Sequence, residues 1–384
     1  MKHVLIIAYA DFPGTSRLFN QVNVLRRAGH PVTILCCRER GKPRCESAAG
    51  LRIIRLPVLK TRKSILGYAS KWIRFTAAAF VVTAYLTLRR RFDVVQVFNQ
   101  PDFLMACGLM PRLRGARLIL DYRDPMPETY MSKFGVGPKH PTVVALRWLE
   151  RICLRSADQI LTVSEDYKRR VESKGIGEGK IAVWMNCPDP SIFRFGARTR
   201  RAENGFIAVY HGTIARRLGT DCAVRAVALA RRTIPGLRLL IVGEGELLGT
   251  LQRQIGEEGL QECVEVRRPV RCEDVASFLQ TADVGLVPMR SDAYTETVLP
   301  TKLLEYAATG VPIIASSTSA VRASFRDNEI CFCTPGDPES VAGKLIELWR
   351  SPERALLLAQ SARARYEGIV NRDSMVRQYL NLIG

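Results

Sequence analysis

Lys302 and Glu305 stand one helical turn apart at the start of a segment that reads as a helix, a break and a buried strand. Pro300 and Thr301 suit a first helical turn, and Gly310 begins the break that ends the helix. A lysine there adds a cation where backbone N–H groups already favour an anion, and Glu305 is within reach of hydroxyls on the molecule that carries it. The pattern predicts a phosphate site beside a carboxylate for sugar hydroxyls. A capped surface helix with a solvated Lys and Glu is the alternative.

Two glycine-containing loops precede this helix, each at the end of a predicted strand. The first is Gly212-Thr213 with Arg216 and Arg217 behind it, and the second is Gly243-Glu244-Gly245. Glycine lets the backbone approach a ligand closely, and two or three cations can meet a diphosphate. Because the carboxyl ends of parallel strands share one edge of a sheet, we expect these loops and the helix start to converge on one ligand, with cations for a diphosphate and a carboxylate for a ribose.

The first half of the chain also places polar residues at strand ends. The loop after the first predicted strand contains Gly14, with Arg17 at the start of the next helix, and no GxGxxG is present, so an NAD enzyme is not expected. Two later strands end in the loops Asn99–Phe103, which includes Asp102, and Asp121–Glu128. In a parallel sheet these loops face one ligand-binding crevice.

Alternating apolar runs and helical patterns predict an α/β protein with two Rossmann-like halves. At 384 residues and 47% hydrophobic composition, the chain is long enough for two domains. We expect a first domain over 1–190, a polar and basic linker near 186–204, a second domain over 204–360, and a C-terminal helix over 361–384 that crosses back to the first domain.

The net charge of +20 is concentrated in the first half, since residues 1–200 hold 35 Lys and Arg against 15 Asp and Glu, and the remainder holds 22 of each. A basic, aromatic and apolar segment over 60–91 contains Arg62, Lys63, Lys71 and Trp72, which indicates contact with an anionic membrane surface. The alternatives are a general bias towards Arg, which outnumbers Lys 45 to 12, and a helix over 75–88 that simply packs on a sheet. No nucleic-acid motif is present.

The expected location is the cytoplasm, at the inner face of the membrane as a peripheral protein. Met1-Lys2-His3 runs directly into a strand, which does not look like a signal peptide, and the apolar run Phe75–Leu88 is too short to span a bilayer. Eleven cysteines without CxxC or metal-ligand spacing indicate reduced thiols, and no metal site is expected.

Along almost its whole length the sequence resembles the retaining glycosyltransferases of family 4, which have the GT-B fold. The resemblance implies that the second domain binds a UDP- or GDP-linked sugar, the first binds the acceptor, and no cofactor is needed. It assigns the ribose to Glu305, the diphosphate to Thr301, Lys302 and Leu303, and the developing phosphate charge to Arg217. The stretches that carry the resemblance are Phe12 to Arg17, Ala28 to Thr33, Asp93 to Phe103, Asp121 to Asp124, Thr162 to Glu165, Val183 to Asn186, Tyr210 to Thr213, Ile241 to Gly245 and Pro300 to Ser316.

Three positions depart from the family pattern. Arg123 stands where similar proteins carry a catalytic-loop His, so Asp124 or the donor phosphate is left to take the acceptor proton. Thr297 stands where they carry a first Glu, with Glu296 one residue earlier as a sugar contact, and Leu218 replaces the Lys before Gly219.

The resulting prediction is a hexosyltransferase that acts on a lipid-linked or polysaccharide acceptor in the synthesis of cell-surface glycan. Residues predicted to face the acceptor are Gly14, Arg17, Asn99 and Asp102, and those predicted to act in catalysis are Arg123, Asp124, Arg217 and Lys302. A nucleotide-sugar epimerase and a non-catalytic partner protein that binds a nucleotide sugar remain as alternatives. The base, the sugar and the linkage are not specified by these patterns.

Overall fold

The computed structural model describes residues 1–59, 65–196, 205–268 and 272–384. Contacts divide the chain into a first unit, Met1–Asn186 with Arg372–Gly384, and a second unit, Cys187–Asn371. The second unit therefore starts before residue 204 and continues past residue 360. The predictions for Arg62, Lys63 and residues 197–204 lie outside the described residues.

The first unit contains a mainly parallel sheet with the predicted α/β alternation. In the described part of this unit the strand order is β3-β4-β2-β1-β5-β6-β7-β8, and only the β3–β4 pair is antiparallel. Most strands are buried along their length, as expected for a sheet covered on both faces. The strands are β1 (Val4–Ile7), β2 (Val32–Arg38), β3 (Cys45–Ala48), β4 (Leu51–Leu59), β5 (Val94–Phe98), β6 (Arg117–Asp121), β7 (Gln159–Thr162) and β8 (Ile181–Val183).

Helices cover this sheet, and their apolar stripes form its core. Phe75, Ala79 and Leu86 of α2 are buried in a cluster with Leu104, Cys153 and other apolar residues, so one side of the helix over 75–88 packs in the core of this unit. A 3₁₀ segment, Asp102–Gly108, lies beside α2. The helices are α1 (Ser16–Arg27), α2 (Ile65–Arg89), α3 (Leu109–Leu113), α4 (Met126–Phe134), α5 (Pro141–Ser156) and α6 (Glu165–Ser173).

The second unit repeats the architecture with a smaller, all-parallel sheet in the order β11-β10-β9-β12-β13-β14. Its strands are β9 (Phe206–Thr213), β10 (Leu237–Glu244), β11 (Val264–Arg267), β12 (Val284–Val287), β13 (Ile313–Ser316) and β14 (Cys331–Cys333). Its helices are α7 (Thr220–Ala230), α8 (Leu248–Glu257), α9 (Cys272–Thr281), α10 (Thr301–Thr309), α11 (Ser319–Ser324), α12 (Pro338–Arg350) and α13 (Pro352–Ile369).

The C-terminal segment returns to the first unit as α14 (Arg372–Ile383), which packs beside β8. Tyr379 of α14 is buried, and its hydroxyl donates a hydrogen bond of 2.6 Å to Gln96 Oε1 on β5. The stretch predicted as one C-terminal helix over 361–384 is thus the end of α13 followed by α14, and only α14 belongs to the first unit. Within the described residues, no helix combines the length and hydropathy needed to cross a bilayer.

Candidate functional site

The helix start at Lys302 and the two glycine loops lie at one edge of the second sheet, as predicted. Strands β9 and β10 run in register to their ends, which pairs Gly212 with Gly243 and Thr213 with Glu244. A Cβ atom added at Gly243 would lie 1.9 Å from Gly212 O. Any side chain at Gly243 would therefore clash with the backbone of the Gly212 loop, and only glycine fits there. Gly212 in turn lies beside Lys302 at the N-terminus of α10.

Lys302 lies over the first glycine loop. Its Nζ is 3.5 Å from the centre of the Tyr210 ring, and a Cβ atom added at Gly212 would be 3.6 Å from it. Burial lowers the pKa of Lys302 to about 7, although the nearby Glu305 carboxylate favours the charged form. An incoming phosphate would favour the charged form further, so this lysine is suited to respond to an anionic ligand.

Glu305 is held by a buried histidine. His211 Nε2 lies 2.5 Å from Glu305 Oε2, and His211 Nδ1 lies 3.1 Å from the Tyr306 hydroxyl. Tyr306 in turn donates to Val209 O at 3.1 Å, and its ring occupies the space that a side chain at Gly285 would need. One Glu305 oxygen is thereby oriented from inside the unit, and the carboxylate itself is only partly buried.

The two predicted cations, Arg216 and Arg217, differ in burial. Arg216 is exposed, whereas Arg217 is partly buried, with its guanidinium 5.5 Å from the centre of the Tyr294 ring and its Nε without a hydrogen-bond partner among the described residues. Arg290 fixes the loop, because its backbone N–H donates to Arg217 O at 3.0 Å and its guanidinium pairs with both Asp221 oxygens at 2.7 and 2.8 Å. Arg217 is therefore the better placed cation of the two for a diphosphate.

Glu296 is hydrogen-bonded to two serines of the second unit. Its Oε1 accepts from the Ser291 hydroxyl at 2.6 Å, and its Oε2 accepts from the backbone N–H and hydroxyl of Ser319 at 2.8 and 2.6 Å. Partial burial acts to raise the pKa of Glu296, but these hydrogen bonds outweigh it and lower the pKa. A sugar contact by Glu296 would have to compete with this capping of α11.

The remaining residues at the start of α10 differ in exposure. Thr301 is partly exposed, and Leu303 is buried, with its backbone N–H donating to Pro300 O at 3.0 Å. Leu303 can thus contribute packing but not a free backbone N–H. A phosphate bound at this helix would therefore depend mainly on Lys302 and on the earliest N–H groups.

In the first unit, Asn99 organises the loop that carries Arg123 and Asp124. Its Oδ1 accepts from the backbone N–H groups of both residues, at 2.8 and 3.3 Å, and its Nδ2 donates to Asp124 O at 2.6 Å. The Arg123 guanidinium donates to Asn99 O at 3.2 Å and lies 5.1 Å from the centre of the Phe98 ring. Asn99 is fully buried, so in this unit it positions its neighbours.

Asp102 is also buried, at 2% exposure. Burial raises the pKa of its carboxyl to about 7, nearby Glu150 acts in the same direction, and a hydrogen bond from Asn99 Nδ2 at 3.2 Å opposes them. Asp102 Oδ2 has no hydrogen-bond partner among the described residues. Glu150 accepts from the Tyr122 hydroxyl and, at 2.5 Å, from Lys174 Nζ. Sequence reasoning missed this buried group because its members come from separate helices and loops.

The prediction that Arg17 points a cation at a ligand requires correction. Its guanidinium is buried and pairs with Asp121, with Nε at 3.0 and 3.1 Å from the two carboxylate oxygens. It also donates to Trp184 O and to Asn186 Oδ1. Arg17 therefore ties α1 to the ends of β6 and β8.

Gly14 is exposed, and a Cβ atom there would meet only Asp11 Cβ, at an ordinary 3.6 Å. Nothing among the described residues of the first unit requires glycine at this position. The described residues contain no group of three or more His, Cys, Asp or Glu that could hold a metal ion. Apart from Cys272, whose side chain is not described, the cysteines are free thiols.

Comparison with known families matches both halves of the chain. Residues 15–187 match the family model described as "Glycosyl transferase 4-like domain", and residues 205–351 match "Glycosyl transferases group 1". The amylovoran biosynthesis glycosyltransferase AmsK of Erwinia amylovora is 22% identical over 227 residues, covering 58% of this chain and 55% of AmsK.

A second curated relative is the GDP-mannose-dependent alpha-(1-6)-phosphatidylinositol monomannoside mannosyltransferase of Mycolicibacterium smegmatis. It is 29% identical over 185 residues, which cover 46% of this chain and 47% of that enzyme. The chain thus spans about half the length of these curated relatives.

Solved structures match over the whole chain. Sucrose-phosphate synthase from Thermosynechococcus elongatus superposes with a TM-score of 0.79 at 17% identity, covering 100% of this chain and 98% of the other. HepE from Anabaena, in complex with UDP-glucose, superposes with a TM-score of 0.72 at 13% identity, covering 99% of each chain. At these identities the superpositions establish the fold, which is GT-B.

Proposed function

The chain belongs to the group 1 glycosyltransferases, and we propose that it transfers a hexose, with retention, from a UDP- or GDP-linked donor to a lipid-linked or polysaccharide acceptor. The observation that carries the proposal is the arrangement in the second unit, where Lys302 lies over the Gly212 loop one turn from a Glu305 held by His211. The arrangement offers a cation for a diphosphate and an oriented carboxylate for ribose hydroxyls.

The names of the relatives support the proposed donor types. AmsK is named for amylovoran biosynthesis, the mycobacterial enzyme is named as GDP-mannose-dependent, and HepE was solved with UDP-glucose. UDP-sugars and GDP-sugars both carry the sugar on a diphosphate, which is the group that we propose Lys302 and Arg217 bind. We therefore propose cell-surface glycan or exopolysaccharide synthesis as the setting, at the cytoplasmic face of a membrane.

Charge stabilisation is the main chemical task of this site. Breaking the bond between the anomeric carbon and the phosphate leaves negative charge on the nucleotide diphosphate and positive charge on the sugar. Lys302, Arg217 and the first N–H groups of α10 interact more strongly with that leaving group than with the intact donor, which lowers the barrier. These fixed charges are proposed to do this without a metal ion.

On the acceptor side, we propose that the Arg123–Asp124 loop acts on the acceptor hydroxyl. Asn99 holds the backbone of both residues, so the loop is preorganised. Proton removal falls to Asp124 or to a donor phosphate oxygen. Asn99 and Asp102 are assigned to positioning this loop, because both are buried.

A donor screen tests the proposed function directly. We expect one nucleoside diphosphate among UDP, GDP and ADP to raise the melting temperature most, since a ligand at about 100 times its Kd adds about 2.7 kcal/mol of stability. The matching nucleotide sugar should then be turned over, measured as nucleotide release with and without a membrane extract as the acceptor source.

Control variants separate the alternatives. Glu305→Gln should weaken the shift while leaving the unliganded melting temperature near that of the wild type. Nucleotide binding with no turnover, and no turnover in Arg123→His, would instead support a non-catalytic nucleotide-sugar-binding protein.

His211 is predicted to orient Glu305 rather than to contact the donor. His211→Phe removes the hydrogen bond to the carboxylate, and loss of a bond to a charged group should raise the donor KM about tenfold, with a smaller change in kcat. His211→Gln, which can donate to the same oxygen, should recover part of the loss.

A donor analogue with deoxyribose distinguishes a positioning role of His211 from a general loss of structure in the site. If Glu305 binds the ribose, His211→Phe should penalise the natural donor more than its 2′- or 3′-deoxyribose analogue. An equal rise in KM for the natural donor and its deoxyribose analogue would contradict the positioning role of His211.

A further inference from the structure

Three helices of the first unit expose large apolar side chains on their outer sides. These ten residues, here called the outer face, account for more than half of the large hydrophobic residues exposed in the described chain. Trp148 is 68% exposed and Leu113 is 83% exposed, so the face is not covered within the unit. Its members are Ile73, Phe80, Val81, Tyr85 and Leu88 of α2, Leu109 and Leu113 of α3, and Val144, Trp148 and Ile152 of α5.

The three helices cover the same side of the sheet. Helix α2 packs against α3 and the 3₁₀ segment Asp102–Gly108, and α5 packs against the same 3₁₀ segment. The inner sides of α2 and α5 share one core cluster, which includes Phe75, Ala79, Cys153 and Leu154. Their exposed sides therefore point away from that sheet together, as one continuous outer layer.

Arginines accompany the apolar residues at helical spacing. On α5, Val144, Trp148 and Ile152 form one exposed stripe, and Arg147, Arg151 and Arg155 form the stripe beside it. On α2, Arg74 and Arg89 are exposed next to the apolar residues. The aromatic and cationic pattern is that of a helix lying at a membrane interface.

Carboxylates are missing from this surface. The sequences of α2, α3 and α5 contain a single acidic residue, Glu150. It is buried and bound to Tyr122 and Lys174, so the helices present no exposed carboxylate. A loop carboxylate, Asp158, pairs with Arg112 of α3 at 2.9 Å.

We propose that the outer face docks the protein on a bilayer that contains anionic lipid. The apolar residues enter the boundary between headgroups and acyl chains, Trp148 lies at that boundary, and the arginines meet lipid phosphates. A second copy of the chain fits this face poorly, because a twofold contact would set arginine stripes against each other without carboxylates between them.

The face overlaps the segment 60–91 that the sequence analysis predicted as an anchor, but it extends beyond it. Trp72 is partly buried and packs against the core cluster, and the exposed tryptophan is Trp148. The arginines of α5 lie outside the predicted segment 60–91. The inference rests on the membrane setting of the proposed function and names the surface that meets the lipid, and it can be tested without any donor or acceptor.

Vesicle co-sedimentation of the full chain is the test. We expect binding to vesicles of phosphatidylcholine with phosphatidylglycerol, weaker binding at high salt, and little binding to phosphatidylcholine alone. Replacing Arg147, Arg151 and Arg155 by Gln should lower the partition coefficient about tenfold or more. The matched control replaces three exposed arginines of the second unit, Arg225, Arg232 and Arg253, by Gln and should change binding little.

Tryptophan fluorescence tests whether the apolar residues of the outer face insert into the bilayer. Tryptophan emission should shift to the blue on binding, and Trp148→Phe should remove most of that shift while binding persists. Equal loss of binding in both triple variants would mean that total charge alone drives association and would overturn the assignment to α5. Retention of full binding by the α5 variant, or concentration-dependent dimerisation that Trp148→Ala abolishes in the absence of lipid, would also overturn it.

A lowered melting temperature would show that a triple variant is poorly folded. In that case, single replacements of the same exposed arginines would be tested instead. Failure of the proposed function would appear separately, as loss of nucleotide binding in a protein that still binds vesicles.

Discussion

Lys302→Gln is expected to lower the transfer rate by roughly 10²- to 10³-fold, the usual effect of removing one well-aimed donor from a site that stabilises developing charge. The side chain lies beside Gly212 and over the Tyr210 ring, so Gln can occupy the space without repacking the loop. We expect the loss mainly in kcat, since the charge on the leaving diphosphate grows as the sugar bond breaks. Steady-state kinetics with the donor found by the screen would measure it.

The same lysine predicts an unusual pH dependence. With a pKa of about 7 in the unliganded protein, Lys302 is half charged at pH 7 and roughly one-tenth charged at pH 8. A bound diphosphate favours the charged form and raises the pKa, so binding takes up a proton above pH 7. The Kd for the nucleoside diphosphate should therefore rise about fivefold between pH 7 and pH 8.

Two variants check the origin of this effect. Lys302→Arg keeps its charge throughout this range, and Lys302→Gln never has one, so both should bind with little change between pH 7 and pH 8. Calorimetry in buffers of different ionisation enthalpy would detect the proton uptake directly. A wild-type Kd that stays constant over this range would show that Lys302 has an ordinary pKa.

Arg17→Ala is expected to destabilise the first unit by about 3–5 kcal/mol, because it leaves the buried Asp121 carboxylate without its countercharge. The two side chains are 3% and 0% exposed. Asp121 would keep hydrogen bonds from the Gln21 and Gln96 amides, at 2.9 and 3.2 Å, but these are neutral donors. The expected loss is a large fraction of the stability of a typical domain.

Urea denaturation followed by tryptophan fluorescence measures this change. A Trp349→Phe background removes the tryptophan of the second unit, so the signal reports on the first unit alone. Arg27→Ala, on the same helix but exposed, is the matched control and should change stability by no more than about 0.5 kcal/mol.

A double variant separates charge from packing. Arg17→Met with Asp121→Leu removes both charges and should recover part of the stability lost in the single variant. If Arg17→Ala has no more effect than the Arg27→Ala control, the buried pair does not stabilise the unit as the geometry implies.

Local chemistry in the sequence predicted much of the fold. Apolar runs of four to eight residues bounded by Gly and Pro correspond to most of the observed strands, because buried parallel strands need continuous apolar sequence. Strand β3, with the sequence Cys-Glu-Ser-Ala and mostly exposed, was missed for the same reason. It pairs only as the antiparallel edge beside β4, and nothing apolar marks it.

The candidate site was predicted in part. The order of Gly212, Gly243 and Lys302 along βα units was enough to place them at one sheet edge, and the register confirms that the two glycines are neighbours. The sequence could not show that Glu305 is held by His211, because these residues are 94 positions apart and meet only when β9 and α10 pack together.

Sequence by itself determined most of the strands and helices and the order of the two α/β units, and it indicated the family, because these depend on local apolar periodicity and on motifs within single loops. Tertiary structure alone decided the role of Arg17, since a cation at a helix start looks the same whether it faces a ligand or a buried Asp121. It also decided that Trp148 rather than Trp72 is exposed. Burial is a property of what packs around a residue, and that depends on segments far away in the chain.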